Sequence, residues 1–169
     1  MFLFSHFRSA LHTIFGLSFM GTIFSLLTQY AFKMNPCVMC IQQRISLLFI
    51  ALLSIPCLFL SLSKSINRSL SAIILSIPTA FGGFIAAKQI WLQSLPISQQ
   101  PDCGAPWTFR LRGAPLFDWY EPLIRGTGVC GEVHRIFGIT LPVWSLLFFI
   151  TIWLILWITW WNTRQNRRI

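Results

Sequence analysis

Apolar residues fall into four long blocks, at about 12–31, 45–63, 70–87 and 141–161, separated by polar connections. Each block approaches the ~20 mostly apolar residues that a helix needs to cross the hydrocarbon core of a bilayer. The pattern predicts an all-α membrane protein, a bundle of four transmembrane helices in one domain spanning 1–169. Two connections, about 32–44 and 88–140, fall on one side of the membrane; the short turn after residue 63 falls on the other. The first block reads as a retained span. Its apolar run exceeds the ~7–15 residues of a signal-peptide core, and no small-x-small cleavage site follows it. Pro56 and Pro78 lie inside the second and third spans and predict local kinks. The third span carries Gly82, Gly83, Ala86 and Ala87, and small residues four apart let helices approach closely in lipid. Within the long connection, the stretch 115–124 mixes apolar and charged residues as a short amphipathic helix on the membrane surface would.

Composition narrows the class. Apolar residues make up 55% of the 169 and charged ones 10%, with a mean hydropathy of +0.68, which excludes an ordinary soluble domain. Charge sets the orientation. Arg8 precedes the first span, Lys64 and Arg68 fill the turn between the second and third, and Arg164, Arg167 and Arg168 form the tail. No acid accompanies these bases, and such segments stay on the cytoplasmic side. Both termini are therefore expected in the cytoplasm. The four acids Asp102, Asp118, Glu121 and Glu132 all lie in the long outer connection. The net charge of +9 does not imply nucleic acid, because about half of the bases are topology signals and no basic stripe with interleaved aromatics occurs. Trp144, Trp153, Trp157, Trp160 and Trp161 in the fourth span read as interfacial anchors.

The candidate chemistry sits on the outer side. Cys37-Val-Met-Cys40 stands at the mouth of the second span. Asn35 is a good N-cap and Pro36 suits a first helical position, which puts Cys37 in the first turn and Cys40 one turn later. A helix N-terminus favours a thiolate over a thiol. Arg44 follows four residues after Cys40 and seven after Cys37, on the same helix face. An arginine opening an apolar stretch is costly without a partner and marks a functional site; the alternative is that it snorkels to the interface. Cys103 and Cys130 lie in the long connection. Zinc suits them poorly, since they are 27 residues apart and an oxidising compartment favours disulfides. No metal site is expected. Attachment of a c-type haem needs a histidine where Ile41 stands. A static disulfide within Cys37–Cys40 closes so short a loop that it gains little. Cys57, inside the second span, is expected to act as a small apolar residue. A C-x-x-C beside the bilayer, with two more cysteines on the same side, points to thiol–disulfide exchange coupled to the membrane.

Several segments resemble the disulfide bond formation protein B family, DsbB. They are Cys37-Val-Met-Cys40-Ile-Gln-Gln-Arg44, Trp91-Leu-Gln-Ser-Leu-Pro96 leading to Cys103, Cys130-Gly-Glu132, Phe137-Gly138 and Pro142-Val-Trp144-Ser. The relay of DsbA, DsbB and quinone keeps the bacterial periplasm oxidising, and the chain resembles its middle member. The resemblance implies an inner-membrane protein-disulfide:quinone oxidoreductase whose two cysteine-bearing loops are periplasmic. A Cys103–Cys130 disulfide would accept electrons from a DsbA-like periplasmic thiol oxidase, with Cys103 forming the mixed disulfide. Cys37–Cys40 would reoxidise that pair, Cys40 would pass electrons to ubiquinone or menaquinone, and Arg44 would hold the quinone head group.

The chain departs from the family at Gln89, where many members carry a histidine associated with the quinone; Gln89 is the nearest equivalent here, preceded by Lys88. The stretch from Cys130 to Gly138 is slightly short, and Arg135 falls where an aromatic is often seen. Rival readings are a paralogue dedicated to one special partner, a quinone relay like vitamin K epoxide reductase, and a non-enzymatic membrane scaffold stapled by Cys103–Cys130. A scaffold has no need of a reactive cysteine pair one turn from Arg44.

Overall fold

The computed structural model of the protein describes residues 7–31, 33, 35–62, 64–100, 104–126, 133 and 135–165. Three long helices come first: α1 Phe7–Tyr30, α2 Val38–Phe59 and α3 Ser65–Ser94. The long connection between α3 and the last long helix holds a four-residue helix α4, Trp107–Arg110, and an eight-residue helix α5, Phe117–Ile124. Strands β1, Arg135–Ile136, and β2, Ile139–Thr140, form a hairpin leading into α6, Leu141–Gln165. Helices α1, α2, α3 and α6 are all long and apolar enough to cross a membrane, so the protein is a multi-pass membrane protein.

The four long helices close into a ring in which α1 packs on α2, α2 on α3, α3 on α6, and α6 on α1. Arg8 on α1 donates to the Leu58 carbonyl near the end of α2, at 3.1 Å. Trp160 near the end of α6 donates to Ser69 Oγ near the start of α3, at 3.2 Å. These contacts gather Arg8, Lys64, Arg68 and Arg164 at one end of the bundle and leave Cys37 and Cys40 at the other.

Leu11, Ile14, Ile50, Leu75, Phe149, Ile152 and Leu156 fill the core, and Cys57 packs among them. Large apolar side chains such as Phe59, Ile66, Ile77 and Phe84 point outward. Polar groups turn inward because lipid offers them no hydrogen bonds. Several bond within their own helix: Thr22 Oγ1 donates to the Ser18 carbonyl, Ser54 Oγ to Ile50 and Thr79 Oγ1 to Leu75. Gly82 faces the Phe149 ring so closely that a Cβ there would overlap it. The small-residue stretch of the third span is thus the surface on which α3 meets α6. Pro56 and Pro78 both lie within continuous helices.

Here one sequence reading is extended and another corrected. Two of the fourth-span tryptophans do more than anchor at an interface, since Trp157 Nε1 donates to Ser76 Oγ at 3.1 Å and Trp160 bonds Ser69, tying α6 to α3. The third helix does not stop near residue 87. Lys88 interrupts the apolar run, but α3 continues to Ser94 before Pro96. Its 30 residues extend about 45 Å, against about 30 Å of hydrocarbon. Gln89 and Trp91 therefore ride on helix, not loop.

Candidate redox site

Helix α2 starts one residue after Cys37. Its first intrahelical bond runs from the Ile41 N–H to the Cys37 carbonyl, and Cys37 Sγ accepts from the Cys40 N–H at 3.2 Å. Cys37, not Asn35, is therefore the cap, two residues later than the sequence suggested. A sulfur acceptor here satisfies one of the otherwise orphaned amides of the first turn. The cap brings Cys37 Sγ to 2.8 Å from Cys40 Sγ. Closing them to a disulfide of about 2.05 Å needs a shift of under about 1 Å. The hydrogen bond to Cys40 and burial push the Cys37 thiol above the ordinary thiol range.

Gln89, on α3, is buried against this pair. Its Nε2 lies 3.3 Å from Cys37 Sγ and 3.3 Å from Cys40 Sγ. Gln43 Nε2 donates to Gln89 Oε1 at 2.8 Å.

Arg44 is 2% exposed, so it does not snorkel. Its guanidinium turns toward α1. Nε donates to Ser25 Oγ at 2.9 Å and Nη2 to the Ser25 carbonyl at 3.0 Å; Nη1 donates to Gln29 Oε1 at 2.7 Å and to the Leu123 carbonyl at 3.1 Å. Four of its five N–H groups are thereby used. The Leu123 bond also docks the carboxyl end of α5, where a cation suits the helix dipole. Tyr30 Oη donates to the Pro122 carbonyl at 2.8 Å and Gln29 Nε2 to the Arg125 carbonyl at 3.1 Å. The carbonyls of Pro122 and Leu123 in the last turn of α5 and of its C-cap Arg125 are thus held by α1 and α2.

Two further contacts seat the long connection beside Cys37. Trp107 Nε1 donates to the Val38 carbonyl at 3.3 Å. Gly126 lies so close to the Pro36 carbonyl that a Cβ would overlap it. The loop therefore rests on the residues immediately before and after Cys37.

A cavity of about 610 Å³ opens next to the sulfurs. Phe24, Leu47, Trp144 and Phe148 supply apolar wall, Cys37, Cys40, Arg44 and Gln89 the polar end, and Phe137 of the β-hairpin part of the rim. Phe137 and Gly138 both have positive φ, as a two-residue hairpin turn requires.

The family model described as disulfide bond formation protein DsbB matches residues 7–159. The chain belongs to the DsbB family. It is 44% identical over 154 residues to the disulfide bond formation protein B of Neisseria meningitidis serogroup A, covering 91% of this chain and 95% of that one. It is 33% identical over 132 residues to the protein of that name from Chromohalobacter salexigens, covering 78% and 77%. Membership makes it a membrane disulfide bond formation protein, a disulfide-forming oxidoreductase in general terms.

Of the site residues read from the sequence, this DsbB-family structure brings Cys37, Cys40, Arg44 and Gln89 around one cavity. Cys103 and Cys130 lie outside the described residues. Ser25, Gln29, Gln43, Trp107 and Gly126 were not singled out by the sequence reading. A signal existed for the first two: Ser18, Thr22, Ser25 and Gln29 recur at helical spacing within an apolar run. Gln43 is one of two adjacent glutamines and nothing local distinguishes them. Trp107 and Gly126 act through contacts distant in sequence.

Proposed function

We propose that the protein reoxidises a DsbA-like dithiol protein in the bacterial periplasm and passes the electrons to a membrane quinone, ubiquinone or menaquinone. The path runs from Cys103–Cys130 to Cys37–Cys40. It lies in the inner membrane with both termini cytoplasmic, in keeping with the bases gathered at one end of the bundle.

The seat of Cys37 carries the reading. It borders the cavity on one side and stands between two anchors of the outer loop on the other. Trp107 is four residues after Cys103, and Gly126 four before Cys130.

The cavity fits a quinone. Its volume falls within the ~300–1,000 Å³ of small-molecule sites, its walls are apolar, and Arg44 has one N–H left for a carbonyl oxygen. A bound quinone would supply an acceptor for two electrons and two protons. Cys37 and Cys40 release two electrons and two protons as they form one S–S bond. Arg44 would orient the ring, and Phe24, Trp144 and Phe148 would keep water from it.

The test is quinol formation by the purified protein given a reduced DsbA-like donor and quinone, followed by absorbance. Quinol should form with the intact protein and not with Cys37→Ser, Cys40→Ser, Cys103→Ser or Cys130→Ser. An intact protein that exchanges disulfides with the donor yet makes no quinol refutes the reading.

A further inference from the structure

We propose that Gln43 and Gln89 form a two-amide clamp that presents a permanent, uncharged N–H donor to the Cys37–Cys40 sulfurs as their bond opens. The clamp rests on the reading above only in that the pair cycles between disulfide and dithiol. In that cycle an incoming thiolate forms a new S–S bond to one sulfur of the pair. The Cys37–Cys40 bond breaks, and its electron pair stays on the other sulfur as a thiolate.

Both amides are nearly inaccessible, Gln43 at 6% and Gln89 at 2% exposure. They come from different helices, α2 and α3. The Gln43 donor occupies Gln89 Oε1 at 2.8 Å, and that fixes which way the Gln89 amide faces. Its NH₂ then turns to the sulfurs and stands 3.3 Å from each, while Cys40 Sγ reaches Gln89 Oε1 only at the longer distance of 3.8 Å. Reversing the amide would set an oxygen against an anionic sulfur and a nitrogen against the Gln43 donor. The arrangement thus suits whichever sulfur carries the negative charge. Among the described residues lining the cavity there is no Asp, Glu or His, and Arg44 is the one charged side chain. The amide neither gains nor loses a proton, so its hydrogen bond to sulfur persists across the pH range. Gln89 is assigned as a catalytic residue that touches the reacting sulfur, and Gln43 as the positioning residue that aims it. Gln89 is then a partner of sulfur, not of the quinone.

The experiment uses the full-length reduced protein in detergent without quinone. Alkylation by iodoacetamide at pH 7 is followed at Cys40 by mass spectrometry. Gln89→Leu should slow Cys40 alkylation about tenfold, the worth of one hydrogen bond to a charged group. Gln43→Leu touches neither sulfur and should still slow it severalfold. Gln89→Asn keeps an amide but withdraws it by one methylene, and it should not restore the rate; it also decides the matter if the leucine variant fails to fold. In quinone assays the same variants should lower kcat and leave KM unchanged. Unchanged alkylation in Gln89→Leu or Gln89→Asn overturns the clamp. A raised KM with unchanged kcat does so too, returning Gln89 to the quinone. The alkylation arm contains no quinone, so a wild-type protein that makes no quinol would refute the proposed function while leaving the clamp to be judged on alkylation alone.

Discussion

Replacing Arg44 with alanine should do two separable things. The first is structural. The guanidinium makes four hydrogen bonds, and the replacement leaves Gln29 Oε1, Ser25 Oγ and the Leu123 carbonyl without their donor. A buried polar group stripped of its partner costs about 1–3 kcal/mol. Water can enter the vacated space from the adjoining cavity, and the desolvation cost of the buried cation disappears. The net loss is therefore expected at about 2–4 kcal/mol, below the sum of the separate bonds. It should be concentrated where Leu123 was held, so limited proteolysis of the outer loop should accelerate more than global unfolding does. The second effect is on the ligand. Loss of the remaining N–H should raise the quinone KM by about 10- to 100-fold, the range for a charge-assisted hydrogen bond. Arg44→Lys keeps the charge but offers three donors on one nitrogen. It should restore the Gln29 contact and part of the KM, and leave the loop susceptible. Thermal unfolding, timed proteolysis and quinone kinetics on the same detergent preparation separate the effects. Unchanged proteolysis together with an unchanged KM would refute both roles.

Cys103→Ser or Cys130→Ser should abolish oxidation of the soluble dithiol partner while Cys37–Cys40 remains oxidisable by quinone; a pair that stays reduced with ample quinone would reverse the assigned order of transfer. Gly126→Val forces a side chain against the Pro36 carbonyl, so it should slow oxidation of the soluble partner severalfold with quinone KM unchanged; equal rates would show the loop seat to be dispensable. Gly82→Ala collides with Phe149 and should cost about 1–3 kcal/mol of stability, read as a lower melting temperature and relieved by pairing with Phe149→Leu. A periplasm-dependent reporter fused after Ile169 should be silent, and a strong signal would invert the topology.

The bundle was legible because its information is local. Four apolar blocks, a turn bearing Lys64 and Arg68, and Gly82 four residues before Ala86 each report on their own stretch of helix. Helix ends were less legible. Lys88 looks like the edge of the membrane by composition, but a helix needs only continued backbone bonding, so α3 runs on past that point and carries Gln89 to the cysteine pair. The cysteine pair and Arg44 were visible as a spacing, whereas the direction of the guanidinium was not. That direction is set by Ser25 and Gln29, 19 and 15 residues upstream, and by a carbonyl 79 residues downstream. Gln89 was legible only as a position; its role depends on Gln43, which a one-dimensional reading cannot distinguish from Gln42.

The partners of Arg44 also bear on how the chain enters the membrane in the first place. An arginine costs up to about 2.5–3.5 kcal/mol on insertion scales at the centre of a span, and Arg44, two turns into α2, bears part of that cost. Here three of its four hydrogen bonds are to α1, which precedes α2 in the chain and is synthesised first. The α1–α2 hairpin thus carries its own solvation for the charge and can partition as a unit, long before the ribosome reaches Leu123. Ser25 and Gln29 make α1 a slightly poorer span, and in exchange the second helix can be delivered with its cation already housed.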